Sequence, residues 1–143
     1  MNQVSEILGD KGHEVLEIEA GASVLEAVKR MVEANIGSLL VRDAGEVAGI
    51  VTERDYLRSV ALEDTDEQLT VREIMSSPLV VVNPETTIDE CMALMTDRRI
   101  RHVPVVGEEG EVLGIVSIGD VVKFKSKQQS FEIRYLTDYI TAG

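Results

Sequence analysis

Gly49-Ile50-Val51-Thr52-Glu53-Arg54-Asp55 returns 65 residues later as Gly114-Ile115-Val116-Ser117-Ile118-Gly119-Asp120. Two further blocks recur in step with it. Ala22-Ser23-Val24-Leu25-Glu26-Ala27 reappears as Thr86-Thr87-Ile88-Asp89-Glu90-Cys91, and Val4-Ser5-Glu6-Ile7-Leu8 as Val71-Arg72-Glu73-Ile74-Met75, at offsets of 64 and 67. Three blocks in one order at nearly one period mark a structural unit written twice. The acidic run Glu63-Asp64-Thr65-Asp66-Glu67-Gln68 between the copies reads as a linker. It divides the chain into residues 1–66 and 67–143, the second part carrying a C-terminal helical extension.

Each copy shows the same order of elements. Val24, Ala27, Val28, Met31 and Val32 stand at helical spacing, as do Ile88, Cys91, Met92 and Met95. Pro84 ends an expected strand over Val80-Val81-Val82 and sits just before the second of these helices. After each helix comes a hairpin: Ser38–Val41 with Val47–Val51, and Val103–Val106 with Val112–Val116. A further helix starts near Thr52 and near Ser117. The order is strand, helix, strand, strand, helix. So small a sheet covers one face with its helices and needs a partner on the other, and the second repeat is the obvious one. Val24, Met31, Ile88 and Met95 serve either the core or an interface between copies of the chain. Ile133, Leu136 and Ile140, at helical spacing, are expected to clasp the partner or the first repeat.

Composition narrows the function. The 143 residues carry a net charge of −12, which argues against nucleic acid as a general partner and disfavours anionic membranes. Aromatic residues make up 3 % with no Trp, so the core must be aliphatic. Cys91 is the sole cysteine and leaves no intramolecular disulfide; with only His13 and His102 it makes no zinc site. Met1 to Asp10 lacks the basic start and apolar stretch of a signal peptide, and no run approaches a membrane span, so the expected location is the cytoplasm.

Two stretches stand out chemically. Thr52-Glu53-Arg54-Asp55 and Ser117-Ile118-Gly119-Asp120 place a hydroxyl and an acid three residues apart after a β-run. That pattern closes a helix as a capping box. The same position suits a nucleotide: a helix N-terminus attracts phosphate, and a carboxylate accepts both hydroxyls of a ribose. Arg98-Arg99-Ile100-Arg101-His102 concentrates cations in an acidic chain. Arg98 and Arg99 fit a helix C-terminus, whereas Arg101 and His102 open the next strand and are candidates for anion binding. The methionines and Cys91 lie on apolar stripes and read as core. No nucleophile–base set assembles from two histidines, so binding rather than catalysis is expected.

Two copies of Gly-Ile-Val-Thr/Ser-x-x-Asp, each after a helix and hairpin, with Arg101-His102-Val103-Pro104-Val105 before the second, resemble a tandem pair of cystathionine-β-synthase-type (CBS) domains over nearly the whole chain. The resemblance implies an α/β (α+β) fold of two βαββα repeats related by a pseudo-twofold axis, small sheets packed together, helices outside, and two clefts. It implies that Asp55 with Thr52, and Asp120 with Ser117, hold the ribose and phosphate of an adenine nucleotide. Adenine slots would lie around Val80 and Ile100 to Pro104, and around Val15 and Ile36 to Ser38, with Arg54 serving a phosphate. Members of the family bind AMP, ADP or ATP, in some cases S-adenosylmethionine or NAD(H), and many form dimers. The expected protein is therefore a cytoplasmic, homodimeric regulatory module that acts on an unidentified protein in trans. The rival is a structural dimerisation module with empty clefts. Gly37-Ser38-Leu39-Leu40 stands where the second repeat has Arg101-His102-Val103-Pro104, so unequal sites are expected.

Overall fold

The computed structural model describes residues 2–12, 14–62, 68–77 and 79–129; Ile133, Leu136 and Ile140 lie outside them. In chain order the elements are α1 (Val4–Lys11), β1 (Glu17–Glu19), α2 (Val24–Ala34), β2 (Ser38–Asp43), β3 (Glu46–Thr52), α3 (Glu53–Ala61), α4 (Val71–Ile74), α5 (Ile88–Arg98), β4 (His102–Val106) and β5 (Val112–Ser117). Residues 118–129 form a further helix, α6. The mixed α/β repeat expected from the sequence is present in both halves.

The chain forms two compact units, residues 14–81 and residues 1–13 with 82–143. These units do not follow the order of the repeats along the chain, and the reason is burial. The short helix at the head of each repeat completes the core of the other repeat's sheet. In the β4–β5 unit, Val4, Ile7 and Leu8 of α1 pack with Ile88, Cys91 and Met95 of α5 and with Val103, Val105 and Val116 of the sheet. In the β1–β3 unit, Val71 of α4 joins Ile18, Ala27, Met31, Leu39, Val41 and Val51. Val24, Met31, Ile88 and Met95 are all buried within their own units, so none of them serves an interface between chains.

The recurring Gly of the Gly-Ile-Val block has its cause here. A Cβ on Gly49 would lie 2.6 Å from the Ser76 carbonyl oxygen, just after α4. A Cβ on Gly114 would lie 2.6 Å from Cδ2 of Leu8 in α1. At Gly49 the close neighbour is backbone, which leaves no room for a side chain, and at Gly114 it is the tip of a leucine side chain.

Helix ends also repeat. Ser23 accepts from the Glu26 amide at 3.1 Å to start α2, and Thr87 accepts from the Glu90 amide at 3.1 Å to start α5. The two helices end on Asn35 and Arg99, both left-handed, with φ of 54° and 55°.

The sheets differ at one edge. In the β1–β3 unit, β1 runs parallel to β2, which is antiparallel to β3. The Leu40 amide donates to the Leu16 carbonyl at 3.0 Å and extends this parallel ladder. The equivalent of Leu40 is Pro104, which has no N–H for that rung. Accordingly the strand expected over Val80–Val82 is reduced to a single parallel bridge, Val82 to Val105.

Candidate functional site

β3 runs directly into α3 at Thr52, and β5 into α6 at Ser117. Both junctions are closed by reciprocal capping. Asp55 Oδ2 accepts from the Thr52 amide at 2.9 Å, while Thr52 Oγ1 accepts from the Asp55 amide at 3.2 Å. Asp120 Oδ2 accepts from the Ser117 amide at 2.8 Å, while Ser117 Oγ accepts from the Asp120 amide at 3.1 Å. The helix-closing reading of the motif is thus realised twice, and it holds each carboxylate in a fixed place.

The neighbouring strand brings the other candidates alongside. Ser38 is the ladder partner of Thr52, and His102 that of Ser117. The Glu53 amide donates to the Gly37 carbonyl at 3.0 Å, and the Ile118 amide to the Arg101 carbonyl at 2.8 Å. Ile36 to Ser38 therefore flank Asp55, and Ile100 to His102 flank Asp120. Pro104 is buried further along β4, opposite Ile115. Arg54 and Arg101 are exposed and His102 half-buried. Val15 and Val80 are half-buried, and among the described residues no hydrogen bond ties either to a Thr/Ser-x-x-Asp block.

The two carboxylates have different surroundings, which the local sequence does not reveal. Asp55 is only 5 % exposed, and its Oδ1 accepts from Ser76 Oγ at 3.3 Å. Asp120 keeps 21 % side-chain exposure and pairs with Lys11, whose Nζ lies 2.7 Å from Oδ2 and also donates to the Ile115 carbonyl at 2.8 Å. Both of its hydrogen bonds, from Lys11 and from the Ser117 amide, fall on Oδ2. Lys11 ends the short helix α1 and Ser76 follows the short helix α4, so only the fold brings them to the motif.

Burial by itself would raise the Asp120 pKa, but the Lys11 ammonium and the Ser117 amide outweigh it and hold the carboxyl below the usual range. A depressed folded-state pKa stabilises the fold above the ordinary aspartate range and loses that contribution as pH falls below about 4 toward the lowered value. Urea midpoints measured from neutral to acid pH should therefore fall more steeply for the wild type than for Asp120→Asn. Superimposable acid limbs would mean that the ion pair does not form in solution.

The CBS-domain family profile matches residues 4–62 and 71–127. The chain belongs to the CBS-domain family. CBSX3 of Arabidopsis thaliana, a mitochondrial CBS domain-containing protein, is 39 % identical over 150 residues, covering 98 % of this chain and 72 % of that one. A putative signal-transduction protein with CBS domains from Burkholderia ambifaria is 44 % identical, with a TM-score of 0.79 over 85 % of this chain and 91 % of that one. The CBS domain pair of protein MJ0100, solved with 5'-methylthioadenosine and S-adenosyl-L-methionine, is 26 % identical, with a TM-score of 0.77 over 88 % of this chain and 97 % of that one. Within this CBS-domain chain, no described helix is long and apolar enough to cross a membrane, and no three His, Cys, Asp or Glu side chains among the described residues are grouped to hold a metal.

Proposed function

We propose that the chain is a regulatory module that binds an adenine nucleotide (AMP, ADP, ATP or NAD(H)), catalyses nothing, and acts on a separate protein in the cytoplasm. The observation that carries the reading is the Asp120 carboxylate, held in place through Oδ2 by Lys11 and the Ser117 amide and still partly exposed. A positioned, partly exposed carboxylate is suited to the vicinal hydroxyls of a ribose. Ser117 beside it, and the amide-rich start of α6, suit a phosphate. Arg101 and His102 add positive charge and a donor at the same junction. Asp55 with Thr52, Arg54 and Ser38 forms the corresponding site of the β1–β3 unit, where Ser76 must yield before a ligand reaches the carboxylate. Support comes also from the related CBS pair, whose two ligands both contain adenosine; S-adenosylmethionine therefore belongs in the test.

Thermal-shift and calorimetric titrations with AMP, ADP, ATP, NAD(H) and S-adenosylmethionine test the reading. A ligand at about 100 times its Kd stabilises the folded state by roughly 2.7 kcal/mol, a readily measured rise in Tm. Flat responses at millimolar concentration throughout the panel would leave the dimerisation module as the better account.

The proposed assembly is a homodimer through the α2–α3 face of the β1–β3 unit. Val28, Val32, Ile36, Tyr56 and Leu57 line a groove of about 550 Å³ there, and Val32 and Leu57 are 74 % and 63 % exposed. Apolar side chains exposed side by side along two neighbouring helices are suited to cover by a partner. Two such helix pairs present matching faces, which is the self-complementarity that a twofold dimer needs. Light scattering should give about twice the 15.7 kDa chain mass; a monomer at micromolar concentration would count against it.

A further inference from the structure

We infer that the β4–β5 unit holds an anion pocket for a phosphoryl group, formed by Lys11, Lys123 and Lys127. It rests on the nucleotide reading only for the source of that group. The pocket measures about 100 Å³ and is also lined by Asp10, Asp120 and Phe124. Sites that enclose a whole small molecule run to ~300–1,000 Å³, so this one takes a fragment.

Charge identifies the fragment. Three ammonium groups against two carboxylates leave the pocket at +1 in a chain of net charge −12. Lys123 and Lys127 stand one turn apart on α6, a spacing at which like charges repel unless an anion lies between them. Lys125, between them in sequence, is taken by Asp89 at 2.7 Å, whereas no described residue forms an ion pair with Lys123 or Lys127. Lys11 is held in place by Asp120 and the Ile115 carbonyl, and an ammonium has a third N–H to offer. The pocket adjoins Asp120, so a ribose on that carboxylate would bring its phosphates within reach of the lysines. At the 65-residue offset, Lys123 and Lys127 correspond to Arg58 and Leu62. The three-lysine arrangement thus belongs to the β4–β5 unit alone, and it assigns phosphate selectivity to that unit.

Calorimetric titration with ATP, adenosine and inorganic pyrophosphate tests the pocket, using the wild type, Lys123→Met/Lys127→Met, and a control of equal charge change on the other unit, Lys29→Met/Arg58→Met. ATP and pyrophosphate affinities should fall about tenfold in the first double variant, with adenosine unchanged and the control within about twofold for all three. ATP bound equally well by the wild type and the lysine variant overturns the pocket and leaves the nucleotide reading intact. An equal loss in the control makes the effect one of overall charge and overturns the pocket too. Lysine-dependent pyrophosphate binding, with neither ATP nor adenosine bound, overturns the nucleotide reading and keeps the pocket as a site for free phosphate. Binding of none of the three overturns both.

Discussion

Asp120→Ala should weaken nucleotide binding by one to two orders of magnitude. A ribose diol on Asp120 gives up its charge-assisted hydrogen bonds in this variant, and each such bond contributes roughly 1.5–3 kcal/mol. Folding stability should fall as well, because the same carboxylate receives the Ser117 amide at 2.8 Å; loss of a helix cap costs about 0.5–2 kcal/mol. The two effects are separable. Affinity measured well below the variant's melting temperature reports the ligand, and denaturant unfolding without ligand reports the cap. Lys11 loses its partner too, but it is 38 % exposed and water solvates it, so the variant leaves no buried orphan charge. Asp55→Ala should show the opposite balance. That carboxylate is 5 % exposed and engaged by both Thr52 and Ser76, so its removal should cost more stability and less affinity. Unaltered nucleotide affinity in both Asp120→Ala and Asp55→Ala, together with lowered Tm values, would reduce both blocks to helix caps.

Gly49→Ala should destabilise the β1–β3 unit by about 1–3 kcal/mol, the usual cost of overpacking a fitted interior. The new methyl would stand 2.6 Å from the Ser76 carbonyl oxygen and 3.1 Å from the Met75 sulfur. Backbone cannot turn aside as a side chain can. Ser76 is tied to Ile50 by amide–carbonyl bonds of 2.8 and 3.2 Å in both directions, and its hydroxyl reaches Asp55. Moving it loosens both the exchanged helix segment and the candidate site. Gly114→Ala meets only the end of the Leu8 side chain at 2.6 Å, so its loss should be smaller. Urea unfolding of the two variants checks the order. Equal and negligible losses would show that α1 and the segment after α4 are not closed onto the strands in solution.

Much of this was legible in the residues themselves. The duplicated Gly-Ile-Val-Thr/Ser-x-x-Asp block, the apolar stripes and the hairpin runs determined the repeat and its strand–helix–strand–strand–helix order, because periodicity and turn chemistry are local properties. The capping role of Thr52 and Ser117 is local too, set by partners three residues away. What the residues alone left open lay at long range. Pro104 shortens the expected Val80–Val82 strand by lacking an N–H, and that matters only once β4 is seen to need a parallel neighbour. The stripe residues Met31 and Met95 were ambiguous between core and interface until their burial within each unit decided it. The tertiary structure alone decided which short helix closes which sheet, and so which groups face the two aspartates. Lys11 meets Asp120 across 109 positions of chain, and Ser76 meets Asp55 across 21. Neither pairing leaves a local pattern, because each is fixed by the burial of an apolar helix against the other repeat's sheet, with the polar partner carried at its end.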